Sequence, residues 1–155
     1  MNKIDLKSIV QSVVEDFNNI YVEKRGIEID LKIEETKNGF IILGIENRIE
    51  QILANLLDNA ISFSKDNQKV TVEIQEKQSD KIVLRVIDQG QGFKEKKLNK
   101  IFDRFYSNRP DKFGEHSGLG LNIVKNLVEL HDGTIAASNN PDNIGARIEI
   151  YFPRV

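Results

Sequence analysis

Two asparagines, Asn55 and Asn59, have a spacing that suggests a binding site. They are four residues apart in a segment with the apolar spacing of a helix. Both therefore lie on one helical face, at the edge of the apolar stripe rather than opposite it. An amide oxygen is a hard ligand that Mg²⁺ accepts together with water and phosphate oxygens. The same spacing is also typical of two asparagines that simply face solvent.

A second candidate is the segment Asp88-Gln89-Gly90-Gln91-Gly92, which directly follows a nearly continuous apolar run over residues 82–87. A carboxylate at a strand end followed by two glycines lets the backbone approach a planar ligand closely. One carboxylate oxygen is then placed to accept a hydrogen bond from the exocyclic amine of adenine. An ordinary glycine-rich turn is the alternative interpretation.

The third candidate is Ser117-Gly118-Leu119-Gly120-Leu121, a glycine-rich turn at the start of an apolar segment with helical spacing. Backbone N–H groups and the helix dipole at such a start favour phosphate. The alternative is a plain helix cap. Neither glycine segment matches a Rossmann or Walker A fingerprint, because no Gly-Lys-Ser/Thr occurs and no strand–GxGxxG–helix order is present.

Hydrophobic spacing predicts the elements that hold these segments. Helices are predicted over residues 5–22, 49–60, 94–102 and 119–131, the last ending at a Gly133 cap. Strands are predicted over 27–33, 40–45, 70–74, 82–87, 134–138 and 146–152, with a turn at 78–80 and a mobile loop over 103–117. This mixture predicts an α/β two-layer sandwich, with one mixed β-sheet packed against about three helices on one face.

Composition narrows the class of protein. The chain has 155 residues, with 22 Lys and Arg against 24 Asp and Glu, a formal net charge of −2. This balance gives no reason to expect nucleic acid or direct membrane contact. Without cysteine, disulfides and thiolate metal sites are excluded. No apolar run approaches the roughly 18 residues of a membrane span, and the start is not that of a signal peptide. A cytoplasmic domain is therefore expected.

Four segments in a fixed order resemble a known family. They are Asn55-Leu-Leu-Asp-Asn59-Ala, Asp88-Gln-Gly-Gln-Gly92, Ile101-Phe-Asp-Arg-Phe-Tyr106 and Ser117-Gly-Leu-Gly-Leu121. They are similar to the N box, first glycine box, F box and second glycine box of the catalytic, ATP-binding domain of bacterial sensor histidine kinases. That family belongs with the gyrase, heat-shock chaperone and mismatch-repair ATPases.

The resemblance runs from about Ile4 to Pro153 and implies a Bergerat-type ATP-binding fold. Residues 1–155 are then expected to form one catalytic domain. Residues 1–4 would be the end of a linker from an absent dimerisation helix domain.

By this resemblance, ATP lies between the N-box helix and the loop over residues 103–117. Asp88 would bind the adenine amine, and Asn59 would coordinate Mg²⁺, which bridges the phosphates. The other expected nucleotide contacts are Asn55, Phe63, Gly90, Gly92, Phe93, Tyr106, Arg109, Ser117, Gly118, Leu119, Gly120 and Leu121. The expected catalytic residues are Asn55, Asn59 and Arg109.

Asn55 stands where related ATPases that hydrolyse ATP carry a glutamate that activates water. An amide cannot accept a proton, so the γ-phosphoryl group is expected to survive for transfer to a histidine. Two positions depart from the commonest family pattern, since Ser62 and Ser107 replace basic residues. Lys65 is a candidate substitute near Ser62, and Arg109, or else Arg104, is the expected phosphate clamp.

The resemblance also implies the partners. His131 is expected to cap or pack, and His116 to be structural or exposed. The phosphoacceptor histidine is therefore expected on the dimerisation domain of the same protein, with a response regulator served indirectly. The isolated domain is expected to be monomeric, in a full-length protein that the family allows to be anchored in the inner membrane. Two functions are alternatives to a histidine kinase domain. One is a serine kinase similar to anti-sigma factors, which usually carry glutamate at the position of Asn55. The other is a nucleotide-binding regulatory module without transfer activity.

Overall fold

A computed structural model describes residues 1–93, 98–103, 119–141 and 145–155 of the chain. The strands are β1 (Asn2–Asp5), β2 (Glu28–Ile33), β3 (Ile41–Gly44), β4 (Lys69–Lys77), β5 (Lys81–Ile87), β6 (Thr134–Asn139) and β7 (Ala146–Pro153). The helices are α1 (Leu6–Arg25), α2 (Glu46–Phe63), α3 (Leu119–Leu130) and a 3₁₀ helix over Leu98–Phe102. The predicted helix over 94–102 is thus 3₁₀ in its described part, and its residues 94–97 lie outside the described ranges.

Five strands form the main sheet in the order β2-β4-β5-β7-β6. The pairing of β2 with β4 is parallel, and the other pairings in this sheet are antiparallel, so the sheet is mixed as predicted. A second, two-stranded sheet of β1 and β3 is not predicted by the sequence pattern. Residues 2–4, within the segment expected to end a linker, lie in β1, whose register pairs Asn2 with Gly44. This short strand has only one residue that is even partly buried, so it carries no alternating signal.

One hydrophobic cluster joins the helices to the inner face of the main sheet. The apolar stripe predicted on α2 is buried along its whole length, at Ile49, Ile52, Leu53, Leu56, Leu57 and Ala60. It packs with inward-facing strand residues that include Val72, Leu84 and Ile150. The predicted two-layer α/β sandwich is therefore confirmed. No described helix combines the length and apolar character needed to cross a bilayer.

The end of α3 differs in detail from the prediction. Asp132, with φ 58°, is the left-handed residue, whereas Gly133 has no positive φ. The N–H of Gly133 donates to the Val128 carbonyl at 3.0 Å, and that of Asp132 donates to the Glu129 carbonyl at 3.0 Å, the pair of bonds of a Schellman motif. Glycine is needed at 133 for space, because a Cβ there would lie 2.7 Å from the Tyr151 carbonyl oxygen.

His131 joins the end of α3 to the start of α2. The imidazole is only 3% exposed. Its Nδ1 lies 2.8 Å from the Leu127 carbonyl oxygen, and its Nε2 accepts a hydrogen bond of 3.1 Å from the Ile45 N–H. Nδ1 therefore carries the proton and donates it to the carbonyl. The prediction that His131 caps or packs is confirmed, since the ring is buried and bonds backbone groups at the ends of both helices.

On the outer face of the sheet, a cross-strand charge cluster ties together the three central strands. Arg85 of β5 stands opposite Glu73 of β4 and Glu149 of β7. Its Nε is 2.5 Å from a Glu149 carboxylate oxygen, and its Nη1 is 3.6 Å from Glu73. Burial alone would raise the pKa of Glu149. The hydrogen bond from Arg85 and the charges of Arg147 and Arg85 outweigh it and hold that pKa below its usual value.

Replacing Glu149 with Gln should destabilise the domain by about 1–2 kcal/mol at pH 7, because the charged partner of a largely buried guanidinium is lost. A carboxylate with a lowered folded-state pKa stabilises the fold above its unfolded pKa of about 4.3, and this contribution is lost as pH falls through the folded value. Urea unfolding should therefore show a difference at pH 7 that shrinks in acid. The exposed control Glu50→Gln should change stability little at either pH, and a Glu149→Gln effect that persists in acid would contradict this account.

Candidate functional site

The C-terminal end of α2 lies against the first glycine box. A Cβ added to Gly90 would lie 2.4 Å from the Phe63 carbonyl oxygen and 3.3 Å from Asp88 Oδ1. Glycine is required here because backbone meets backbone, and no side chain fits between them. The close approach brings together the two predicted segments that carry Asn59 and Asp88, which are remote in sequence.

Arg25, the last residue of α1, fixes this end of α2. Its Nη1 donates to the Ile61 carbonyl at 3.0 Å and its Nη2 donates to the Ser64 carbonyl at 2.7 Å. Its Nε donates to Asp66 at 2.8 Å. A guanidinium at a helix C-terminus satisfies carbonyls that have no partner within the helix and complements the helix dipole. The position of Phe63 is therefore held from outside the helix.

Asp88 is a buried carboxylate with only 3% of its surface exposed. Its Oδ1 accepts hydrogen bonds from the N–H groups of Gly90, at 2.9 Å, and Ala146, at 3.1 Å. The Asp88 N–H donates to the Ala146 carbonyl at 3.0 Å. Neither of the side-chain bonds formed within the described residues uses Oδ2. One carboxylate oxygen thus anchors the strand end, and the other is left to accept from a ligand.

The surroundings of Asp88 disfavour its charge. Burial raises the pKa of the carboxyl, and the hydrogen bonds from the Ala146 and Gly90 backbone offset only part of this, so the pKa stays above its usual value. A poorly solvated carboxylate gains more from a new hydrogen-bond donor than a solvated one does. An N–H group of a ligand at Oδ2 would supply such a donor.

The end of β6 and the residue before β7 complete this part of the site, and no sequence motif marks them. Asn139 accepts from the Phe93 N–H at 2.7 Å and donates to the Phe93 carbonyl at 3.2 Å. A Cβ on Gly145 would lie 2.2 Å from the Asp88 carbonyl oxygen. The only available signal was the Asn139-Asn140-Pro141 turn sequence and Gly145 after it, which indicate a turn but not its contact with Asp88.

The structure also describes Gly92, the last residue of the first glycine box, and Phe93, which follows it. Gly92 has φ 78°, and a Cβ there would lie 2.8 Å from Asn139 Oδ1. Phe93 is 6% exposed and belongs to the hydrophobic core. In the described structure its side chain therefore packs inward, and its expected apolar contact with a nucleotide stays a prediction.

The asparagines of α2 differ in burial. Asn59 is 5% exposed, so the interpretation that it simply faces solvent is wrong, whereas Asn55, one turn earlier, is half-buried. The Asn59 carbonyl accepts a hydrogen bond from Ser62 Oγ at 2.8 Å, so the Ser62 hydroxyl is engaged by the backbone of α2. Within the described ranges, no group of three or more His, Asp or Glu side chains is placed to hold a metal ion. The residues present fit a cation bound by an amide and completed by ligand phosphates and water.

The third predicted segment begins α3. The helix starts at Leu119, and Leu121 is 6% exposed and part of the core. A Cβ on Gly120 would meet nothing within 4 Å among the described residues. Ser117 and Gly118 lie outside the described residues.

Of the remaining predicted residues, some lie in the described part of the chain and others lie outside it. Phe63 is half-buried at the end of α2, next to Gly90, and Lys65 is exposed in the turn that follows. From the F box, Ile101 and Phe102 are buried in the core. The residues Arg104, Tyr106, Ser107, Arg109 and His116, with the predicted loop beyond Asp103, lie outside the described residues.

Comparison with known proteins agrees with this geometry. Residues 44–155 match the family described as histidine kinase-, DNA gyrase B- and HSP90-like ATPase. The chain is 34% identical over 160 residues to the sensor protein ChvG of Agrobacterium fabrum, covering 97% of this chain but 27% of that protein. It thus spans about a quarter of the length of this curated relative.

Solved structures show the same fold. The mycobacterial sensor histidine kinase MprB matches with a TM-score of 0.82 at 25% identity, over 98% of this chain and 96% of that one. Full-length ShkA, solved in complex with AMPPNP, matches with a TM-score of 0.81 at 24% identity, over 99% of this chain and 31% of that one. The chain therefore belongs to the family of histidine kinase-, DNA gyrase B- and HSP90-like ATPases, as a catalytic domain of the histidine kinase type.

Proposed function

We propose that residues 1–155 form one catalytic domain that binds Mg-ATP and transfers its γ-phosphoryl group to a histidine on a separate dimerisation and phosphoacceptor domain. The phosphorylated histidine would then act on a response regulator in two-component signalling. The observation that supports this most directly is the Asp88 carboxylate, which is buried, held through Oδ1 and left with Oδ2 for a ligand.

The base of the nucleotide would bind at Asp88. Adenine presents an exocyclic amine, which donates to a carboxylate oxygen, and a flat ring that needs backbone without side chains beside it. Gly90 and Gly92 meet the second need, since neither residue carries a side chain. Phe63 and, from the F box, Tyr106 are the proposed aromatic neighbours of the nucleotide.

The phosphates would bind between α2 and the start of α3. Asn59 is the proposed Mg²⁺ ligand, and the ion would neutralise charge on the phosphate oxygens. Asn55, one turn earlier, is a proposed nucleotide contact. The N–H groups of Gly118, Leu119, Gly120 and Leu121, with Ser117 before them, would bind phosphate oxygens at the helix N-terminus. Arg109 remains the proposed clamp on the transferred group, with Arg104 as the alternative.

The chemistry would be transfer rather than hydrolysis. In the proposed step, an imidazole nitrogen attacks the γ-phosphorus in line, a P–N bond forms, and the bond to the bridging oxygen breaks to release ADP. Water competes poorly because Asn55 carries an amide, which cannot take its proton. The same amide argues against a serine kinase similar to anti-sigma factors.

Replacing Asp88 with Asn should weaken ATP binding by about 10- to 100-fold without destabilising the fold. The amide oxygen still accepts from Gly90 and Ala146, which turns the NH₂ group toward the adenine amine. Because the folded-state pKa of Asp88 is raised, its charge costs stability at neutral pH. The variant should therefore be at least as stable as wild type at pH 7, and this advantage should disappear below the usual aspartate pKa of about 3.9.

Calorimetric titration with ATP and Mg²⁺ measures the effect on affinity. Thermal unfolding at pH 7 and below about pH 3.9 measures the effect on stability. Asp80→Asn, at an exposed turn position, is the matched control and should leave ATP affinity unchanged. An Asp88→Asn domain that binds ATP as tightly as wild type would remove the main support for the proposed base site.

Replacing Asn55 with Glu should raise ATP hydrolysis about 10-fold or more, because a carboxylate can act as a general base toward water. Asn55→Gln is the matched control, since it has the same length but no basic group. Phosphate release should increase in the Glu variant only. Equal rates in the two variants would show that position 55 does not control the activation of water.

The isolated chain should bind ATP without labelling itself. Incubation with [γ-³²P]ATP should leave no acid-labile phosphate on it, because both ring nitrogens of His131 are engaged by backbone and the ring is buried. Addition of the dimerisation domain of the same protein should restore labelling, on that domain. Stable acid-labile label on the isolated chain would contradict the proposed division of labour.

A further inference from the structure

The hydrogen-bonded ladder between β4 and β5 ends just before Asp88. Its last pair is Thr71 with Ile87, and the same register continued by two residue pairs would place Lys69 opposite Gln89. The backbones do not bond there. Instead, the Lys69 N–H donates to Gln89 Oε1 at 2.7 Å, and the Gln89 carbonyl accepts from Gln68 Nε2 at 3.1 Å. Two glutamine side chains thus occupy the place of the next pair of backbone bonds.

Gln68 also connects this point to the end of α2. Its Oε1 accepts from the Lys65 N–H at 2.8 Å, in the turn that follows the helix. Its own N–H donates to the Lys65 carbonyl at 3.2 Å. One side chain therefore links the turn after α2 to the residue directly after Asp88.

A similar substitution occurs on the other side of β5. There the Ala146 N–H donates to Asp88 Oδ1, while the Asp88 N–H still bonds the Ala146 carbonyl. Inserted side chains therefore separate the end of β5 from β4, whereas toward β7 one backbone bond remains and the other is replaced by a bond to the Asp88 side chain. This separation lets residues 88–92 leave the sheet while remaining attached to it.

We propose that Gln68 and Gln89, together termed the glutamine pair, are positioning residues of the nucleotide site. They hold the Asp88–Gly90 segment at a fixed separation from β4 and from the end of α2, and so set the direction of Asp88 Oδ2. The functional half of this inference rests on the proposed binding of adenine at Asp88. The structural half does not depend on any ligand.

The hydrogen-bond chemistry of the two side chains gives a matched pair of variants. Gln89 uses only its oxygen in the described contacts, so Gln89→Glu keeps the bond from Lys69. Gln68 uses both ends, so Gln68→Glu loses the donor and sets a carboxylate against the Gln89 carbonyl. Both variants add one negative charge within the same cluster of hydrogen bonds, so their effects on an anionic nucleotide through charge alone should be similar.

The first test needs no nucleotide. Amide hydrogen exchange at Gly90 and Ala146 reports on their bonds to Asp88 Oδ1. Exchange at these two amides should accelerate about 10-fold in Gln68→Glu and in the milder Gln68→Ala, and little in Gln89→Glu. Amides in α1 should not change, and Gln11→Glu, at an exposed glutamine of α1, should resemble wild type throughout. Unchanged exchange at Gly90 in Gln68→Ala would overturn the proposed positioning.

The second test compares ATP with GTP in the presence of Mg²⁺. A displaced Asp88 should lose adenine recognition more than phosphate binding, so the preference for ATP over GTP should fall about 10-fold in Gln68→Glu and be retained in Gln89→Glu. An equal loss of both nucleotides would indicate general damage and overturn the positioning role. A wild-type chain with no affinity for ATP would contradict the proposed function, while the exchange measurement would still decide on the glutamine pair.

Discussion

The buried carboxylate of Asp88 imposes the strictest constraint on this fold. A charge removed from water is costly unless hydrogen bonds replace its solvation, and only one of its two oxygens receives them from the described residues. Both donors are backbone N–H groups, from Gly90 and Ala146, so they cannot rotate away. Such a site has an acceptor that a ligand could use, but it costs stability. The raised pKa of Asp88 indicates this cost, because burial disfavours the charged carboxylate.

The sheet topology explains why segments remote in sequence meet at this carboxylate. Because β5 lies between two antiparallel neighbours, its C-terminal end is beside the N-terminal ends of both β4 and β7. The end of α2 leads into β4 through a short turn, and Gly145 precedes β7. Three chain segments therefore converge on the residue that follows β5. Little space remains between these segments, because a Cβ at Gly90 or at Gly145 would collide with a carbonyl oxygen of another segment.

The sequence predicts this site unevenly, for physical reasons. The stripe of α2 and the apolar runs of β4 and β5 follow from hydrophobic period, and Asp88 with its glycines forms a local motif. Asn139 and the Ala146 N–H act on residues 46 and 58 positions away, through a register that no local pattern encodes. The short strand β1 was not predicted, since most of its residues are exposed. The local motif can therefore be predicted from sequence, whereas the contacts that orient its side chains depend on which strands pair and in which register.

Helix α2 fixes the order of the parts of the proposed site. At about 1.5 Å of rise per residue, Phe63, Asn59 and Asn55 follow one another at intervals of about 6 Å along its axis. Base, metal and reacting phosphoryl group would therefore be arranged along a single rigid element. Both ends of that element are tied to the rest of the fold, by Arg25 at its C-terminus and by His131 at its start. A shift of α2 along its axis would break these bonds, so base binding and phosphoryl positioning would be lost together rather than separately.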